Sequence, residues 1–191
     1  MTIENLKNIL VGKNAKDILE FSKIYSLPID IKYILQDKLE ININDNLDWD
    51  RLALDGCVYL NNKGYPEIWI NTSMPENRQN FTLAHELGHI INDILPNIEK
   101  YNNPIEDNYS TLYRNGNINK IEKMANSFAA ELLMPKEFIY KEAKNLTESK
   151  DFDALTLEQV IKRMSNRFRV SFDAMKWRLV NLGYIDKSKI F

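Results

Sequence analysis

The chain of 191 residues contains two histidines, and they stand four apart around a glutamate in His85-Glu86-Leu87-Gly88-His89. On a helix, residues i and i+4 lie one above the other, so this spacing lets a single face present two imidazoles to one cation. Glu86 is rotated off that line. It can sit beside a metal without ligating it and take the proton of an activated water, the general-base role such chemistry needs. A catalytic zinc site wants three protein ligands and one position left open. The third ligand here is not histidine, since the longer pattern that adds one fails at Asn92 and Leu95, where it needs Gly and His. Cys57 and a carboxylate from another element are the candidates.

The elements that must carry these groups are legible in the apolar pattern. From Pro75 to about Leu95, Phe81, Ala84, Gly88, Ile91 and Leu95 follow one line and Leu83, Leu87, Ile90 and Ile94 a second, which predicts a helix packed on two sides. The narrow remaining sector carries His85, His89 and Asn92, so the imidazoles are expected to face a cleft. Gly88 costs about 1 kcal/mol against Ala in mid-helix, which points to close approach of another backbone. Residues 118 to 134 form a second helix pattern, with Ile118, Ile121, Ala125, Phe128, Ala129, Leu132 and Leu133 on one stripe. Glu122 falls inside that stripe. A carboxylate on an apolar face asks for a cation or a metal, whereas Glu131 projects from the opposite side as a solvated charge. Asn126, one turn beyond Glu122, can accept the free ring N–H of a ligating histidine and fix its tautomer.

Gly56-Cys57-Val58-Tyr59-Leu60 and Glu67-Ile68-Trp69-Ile70, joined through Asn61-Asn62-Lys63-Gly64, read as a β-hairpin. In it Cys57 is more simply a small apolar filler than a ligand, and the hairpin edge can receive an extended substrate as an added strand. Ala15 to Tyr25 is expected to be helical, and Pro28 with Asp30 opens a second short helix to about Leu39. The Asn-rich connection from Leu95 to Asn117 joins the two metal-bearing helices and is expected to flank the cleft; Tyr109 or Tyr113 in it can supply an oxyanion donor.

Pro135 opens another helix. Two more follow, about Thr156 to Phe168 and Ser171 to Leu182, with Ser171 as N-cap and Gly183 as stop. With Lys162, Arg163, Arg167, Arg169, Lys176 and Arg178 they could form a DNA-reading helix-turn-helix. The charge balance weighs against this: eight Lys and Arg from Asp151 to Phe191 face five Asp and Glu, a small surplus for a phosphate-binding surface.

Arg78-Gln79-Asn80-Phe81-Thr82-Leu83-Ala84-His85-Glu86-Leu87-Gly88-His89, followed by Glu122-Lys123-Met124-Ala125-Asn126-Ser127-Phe128-Ala129-Ala130-Glu131-Leu132-Leu133-Met134-Pro135, closely resembles the ImmA/IrrE metallopeptidases. The likeness extends more loosely from Leu27-Pro28-Ile29-Asp30 to Phe168-Arg169-Val170-Ser171 and Arg178-Leu179. The resemblance implies a gluzincin-like site holding one Zn2+, with His85, His89 and Glu122 as ligands and Glu86 as the catalytic glutamate. It also implies a regulatory protease that cleaves a helix-turn-helix repressor, relieving repression of a mobile element or a stress response. The expected fold is α+β: a mostly helical zincin-like domain over residues 1–150 with a small antiparallel β-sheet, and a C-terminal helix-turn-helix-like extension over 151–191 packed on it. The competing expectation is a non-catalytic DNA-binding or anti-repressor regulator that keeps a structural metal.

Composition is consistent with this picture. With 44% apolar residues the chain can bury one good core. A net charge of −2 gives no sign of wholesale nucleic-acid coating. Met1 to Val11 lacks the pattern of a signal peptide, no stretch approaches a membrane span, and one Cys argues against disulfides. A cytoplasmic protein without a membrane partner is expected.

Overall fold

A computed structural model of the chain describes residues 1–51, 53–101 and 118–189. Helix formation starts at once, because the Thr2 side chain accepts the Asn5 amide and opens α1 (Ile3–Leu10), which buries Leu6 and Leu10. Asn14 and Asp17 then close a reciprocal capping box on α2 (Ala15–Ser22). Asp30 caps α3 (Ile31–Tyr33), which runs on as a wider π-helical turn through Ile34–Lys38. None of these short helices is stable alone. They hold because Ile18, Ile31, Ile34 and Leu35 go into one apolar core.

The sheet has three strands in the order β1-β3-β2: β1 (Asn42–Asn44), β2 (Gly56–Leu60) and β3 (Pro66–Ile70). The hairpin is as the sequence suggests, with Val58 opposite Ile68. The expectation of an antiparallel sheet needs correction, because β1 pairs with β3 in parallel, Ile43 opposite Ile68. This third strand comes from a polar, Asn-rich segment whose pairing is set by the chain arriving from the first helices. Tyr65 fixes that arrival by donating its hydroxyl to the Leu39 carbonyl at 2.8 Å. As the central strand, β3 buries Ile68, Trp69 and Ile70 almost completely, and the Trp69 indole donates to the Asn46 carbonyl at 2.9 Å.

The turn from β3 into the next helix is held by side-chain hydrogen bonds. Asn71, 5% exposed, donates to the Leu54 carbonyl while its side-chain oxygen accepts the Ser73 amide and hydroxyl. α4 (Glu76–His89) begins after Pro75, and its first turns are tied to the sheet by a forked Arg78–Asp55 pair at 2.7–2.9 Å. Beyond His89 the helix continues in π winding through Ile90–Ile94. Leu83, Ala84, Leu87, Ile90 and Ile91 are buried, the two-sided packing that the two apolar lines predict.

α4 packs most extensively on α5 (Ile118–Leu133). A Cβ on Gly88 would lie 3.0 Å from Ala125 Cα and 3.2 Å from Ala125 O, so the two backbones touch at this point. Gly88→Val is therefore expected to destabilise the fold by about 1–3 kcal/mol or more through overpacking. The check is a urea-unfolding midpoint that falls without a change in slope.

α6 (Lys136–Thr147) starts one residue after the sequence expectation, with Pro135 at the N-cap. α7 (Leu157–Phe168) and α8 (Phe172–Asn181) are capped by Thr156 and Ser171 and joined through Arg169 in left-handed conformation. Phe168, Met175 and Leu179 join the same apolar core as α4 and α5. Among the described residues, no helix is long and apolar enough to cross a membrane.

Candidate metal centre

Helix periodicity puts His85 and His89 on one face of α4, and the Gly88–Ala125 contact brings α5 close enough for Glu122 to meet them. The two Nε2 atoms lie 2.9 Å apart. The Glu122 carboxylate spans both, with Oε2 at 3.3 Å from His85 Nε2 and Oε1 at 3.2 Å from His89 Nε2. The rings meet edge to face at 78°, their centroids 4.6 Å apart. The three side chains are partly exposed, 16% and 14% for the histidines and 30% for Glu122, so one side of the cluster stays open.

The donor set fits a divalent ion. Three ligand atoms lie within 4.8 Å of one another, and the two imidazole nitrogens, 2.9 Å apart, are near the edge of about 3.3 Å expected of a tetrahedron with bonds of about 2.0–2.1 Å. Two nitrogens and a carboxylate are donors that zinc accepts. Protonation state agrees. Burial pushes the His85 imidazole below its usual value, against the opposing pull of the Glu122 charge and the Asn126 hydrogen bond. Burial and the adjacent His85 lower His89 to about 4. Both rings are thus neutral at pH 7, the form in which imidazole ligates.

Asn126 sits where the helix pattern places it, one turn beyond Glu122. Its side-chain oxygen accepts the His85 Nδ1–H at 3.1 Å. That bond leaves the Nε2 lone pair of His85 directed at the cluster. Asn126→Ala is expected to weaken zinc binding about 10–100-fold, measured by competition with a chromophoric chelator. Because Asn126 is exposed, helix content should stay the same.

Glu86 is 8% exposed and is not one of the three clustered ligands. Burial, reinforced by the Glu122 charge, pushes its carboxyl up to about 8. Two carboxyl groups share this neighbourhood without sharing an environment, Glu122 partly exposed in the ligand cluster and Glu86 desolvated. Such a division is what separates a ligand from a proton acceptor.

The other sequence candidates fall elsewhere. Cys57 is buried on β2 with the Arg51 guanidinium 3.9 Å from its sulfur, and the three-residue cluster does not include it. Asn92 donates to the Gly88 carbonyl at 2.8 Å and belongs to the helix backbone rather than the cluster. Tyr109 and Tyr113, and most of the connection expected to flank the cleft, lie outside the described residues.

Compared with models of protein families, residues 36–180 match a peptidase family described as the IrrE N-terminal-like domain. Comparison with curated proteins gives no match.

Proposed function

Because this chain belongs to the peptidase family of the IrrE N-terminal-like domain, we propose that it is a zinc-dependent endopeptidase whose substrate is a helix-turn-helix transcriptional repressor. A metallopeptidase-type function follows from the family; the metal, the endopeptidase action and the repressor are the proposal. The observation that carries it is the meeting of His85, His89 and Glu122 around shared ligand space with Glu86 buried beside them.

His85, His89 and Glu122 would hold the ion. Bound there, a divalent cation would supply Lewis acidity toward the scissile carbonyl and toward the attacking water. The Glu122 charge, the smaller of the two causes that hold the Glu86 carboxyl high, would be opposed by a cation held there, which favours the ionised, proton-accepting form of Glu86. Glu86 then takes the proton of the attacking water and returns it to the leaving amine nitrogen. Asn126 keeps the His85 ring in one tautomer throughout. Since none of these groups reads side chains, sequence preference must come from the surrounding walls.

Five of the six basic residues singled out in the C-terminal helical pair are engaged within the protein. Arg163 pairs with Asp151 at 2.7 Å, Arg167 with Glu142 at 3.6 Å, Arg169 with Glu76 at 3.6 Å and Lys176 with Asp173 at 3.4 Å. Arg178 donates to the Met134 carbonyl at 3.0 Å. This compensation supports a protein-directed role over a DNA-reading one. The test is co-expression of the full chain with a panel of helix-turn-helix repressors from the same genome, with fragments read by mass spectrometry. One repressor is expected to be cut at a defined bond, and only when the histidines are intact. Cleavage that persists in His89→Ala, or a panel left whole beside zinc-loaded protein, counts against the proposal.

A further inference from the structure

Phe81 lies on the apolar line that runs through Ala84 of α4 and on to Ile91 and Leu95 beyond it, yet it is half-buried where they are buried. It lines a cavity of about 650 Å³ between α4, α5 and α8, whose other apolar walls include Ala130, Met134, Trp177 and Leu182. Asn126, the hydrogen-bond partner of His85, lines the same cavity. The space is therefore one side chain removed from the ligand His85, with Asn126 between them. Arg178, anchored on the Met134 carbonyl, holds α8 in place as the far wall.

We propose that this cavity is the subsite that takes a large apolar side chain, aromatic or long aliphatic, from the substrate residue flanking the scissile bond. The assignment rests on the peptidase reading above and names the side-chain class that reading leaves open. Reach supports it: Phe81 precedes His85 by one turn and Asn126 follows Glu122 by one turn, about 5.4 Å along each helix. A bound peptide advances about 3.3 Å per residue, so the side chain next to the reacting bond meets this space. Its volume falls in the range of about 300–1,000 Å³ typical of ligand pockets. Charge does not call for an ionised occupant, because Arg178 and Glu131 both line the cavity and carry opposite charges. A second cavity, of about 490 Å³, shares Phe81 and Ala174 and runs on past Thr82 toward Arg78. The groove thus has room for residues further from the cut.

The experiment follows the Trp177 indole N–H by NMR in the zinc-loaded full chain, with the resonance assigned by Trp177→Phe. N-acetylphenylalaninamide and N-acetylalaninamide are the probes. A saturable shift is expected with the phenylalanine probe, at least about tenfold weaker binding with the alanine probe, and loss of the shift in Ala130→Trp, which fills the cavity. Should that variant fail to fold, Trp177→Ala, which enlarges the cavity, is compared by cleavage of a mixed peptide library. Wild-type cuts should be flanked on one side by Phe, Tyr, Trp, Leu or Met, with a preference over Ala of about 100-fold that the enlarged cavity reduces. An indole that no probe moves, or that both probes move equally, overturns the subsite even if peptides are cut. Probe binding as expected with no library peptide cut sinks the peptidase reading and takes the substrate assignment with it.

Discussion

Glu86→Gln is expected to lower kcat by about 10³-fold or more while the protein keeps its zinc and its fold. A positioned general base contributes about 10²–10⁴-fold, and the ligand face offers no replacement, because His85, His89 and Glu122 are turned toward one another at 2.9–3.3 Å. Glutamine preserves the shape of a side chain that is 8% exposed, so packing on α5 is unchanged. Zinc stoichiometry and single-turnover cleavage of the identified repressor, measured side by side, separate a lost base from a lost site. Full zinc with near-normal turnover would remove Glu86 from the mechanism.

The same variant carries a second signature in the metal-free protein. The Glu86 carboxyl sits at about 8 in the fold against an ordinary value of 4.5. A raised value means that the folded state holds a proton the unfolded state has lost, so stability falls as pH rises toward 8. His89 acts with the opposite sign, lowered to about 4 from 6.5, and His85 is lowered as well. Their effects offset that of Glu86 up to about pH 6.5. Between pH 6.5 and 8 the Glu86 contribution stands alone, and metal-free wild type should lose about 2 kcal/mol of unfolding free energy. Glu86→Gln should be flat over that window in urea unfolding with chelator present.

How much of this is visible before folding depends on whether the signal is local. His85, Glu86 and His89 lie within one helical turn and a half, so their relation is a property of the helix itself. Glu122 is the informative long-range case: its position inside an apolar stripe says that it needs a partner, and only the fold supplies which. The helix start at Thr156 and the Ser171 cap are read to within a residue because the hydrogen bonds these side chains make are three residues away. By contrast β1 offers no period to read in Asn42–Asn44, and its parallel pairing with β3 is a matter of tertiary arrangement. α1 is similarly quiet, since just Leu6 and Leu10 of its eight residues are buried. The cavity beside Asn126 is the least legible feature. It arises from where α8 settles against α5, and Arg178, which in sequence looks like one more surface cation, turns out to tie the two together through the Met134 carbonyl.

Glu122→Ala should cost more zinc affinity than any change outside the ligand set. Removing Asn126, which acts through His85, is worth about 10–100-fold; removing a ligand that spans both imidazoles deletes a bond and the sole carboxylate of the cluster, so a loss beyond about 100-fold is expected. Binding to the folded state alone stabilises by RT ln(1 + [L]/Kd), about 2.7 kcal/mol at 100 times Kd, which for a chain of this size raises the melting temperature by about 5–10 °C. Wild type should show that rise on adding zinc, and Glu122→Ala should not. A further consequence separates charge from coordination. The Glu122 charge is one of two causes holding the Glu86 carboxyl high, burial being the larger, so its removal should shrink the metal-free pH effect between 6.5 and 8 without abolishing it. Glu122→Gln removes the charge but keeps an oxygen donor, and should match Glu122→Ala in the pH measurement while retaining more zinc. If both variants keep the full zinc-induced rise in melting temperature, the ion is held elsewhere, and the meeting of α4 and α5 at Gly88 serves packing alone.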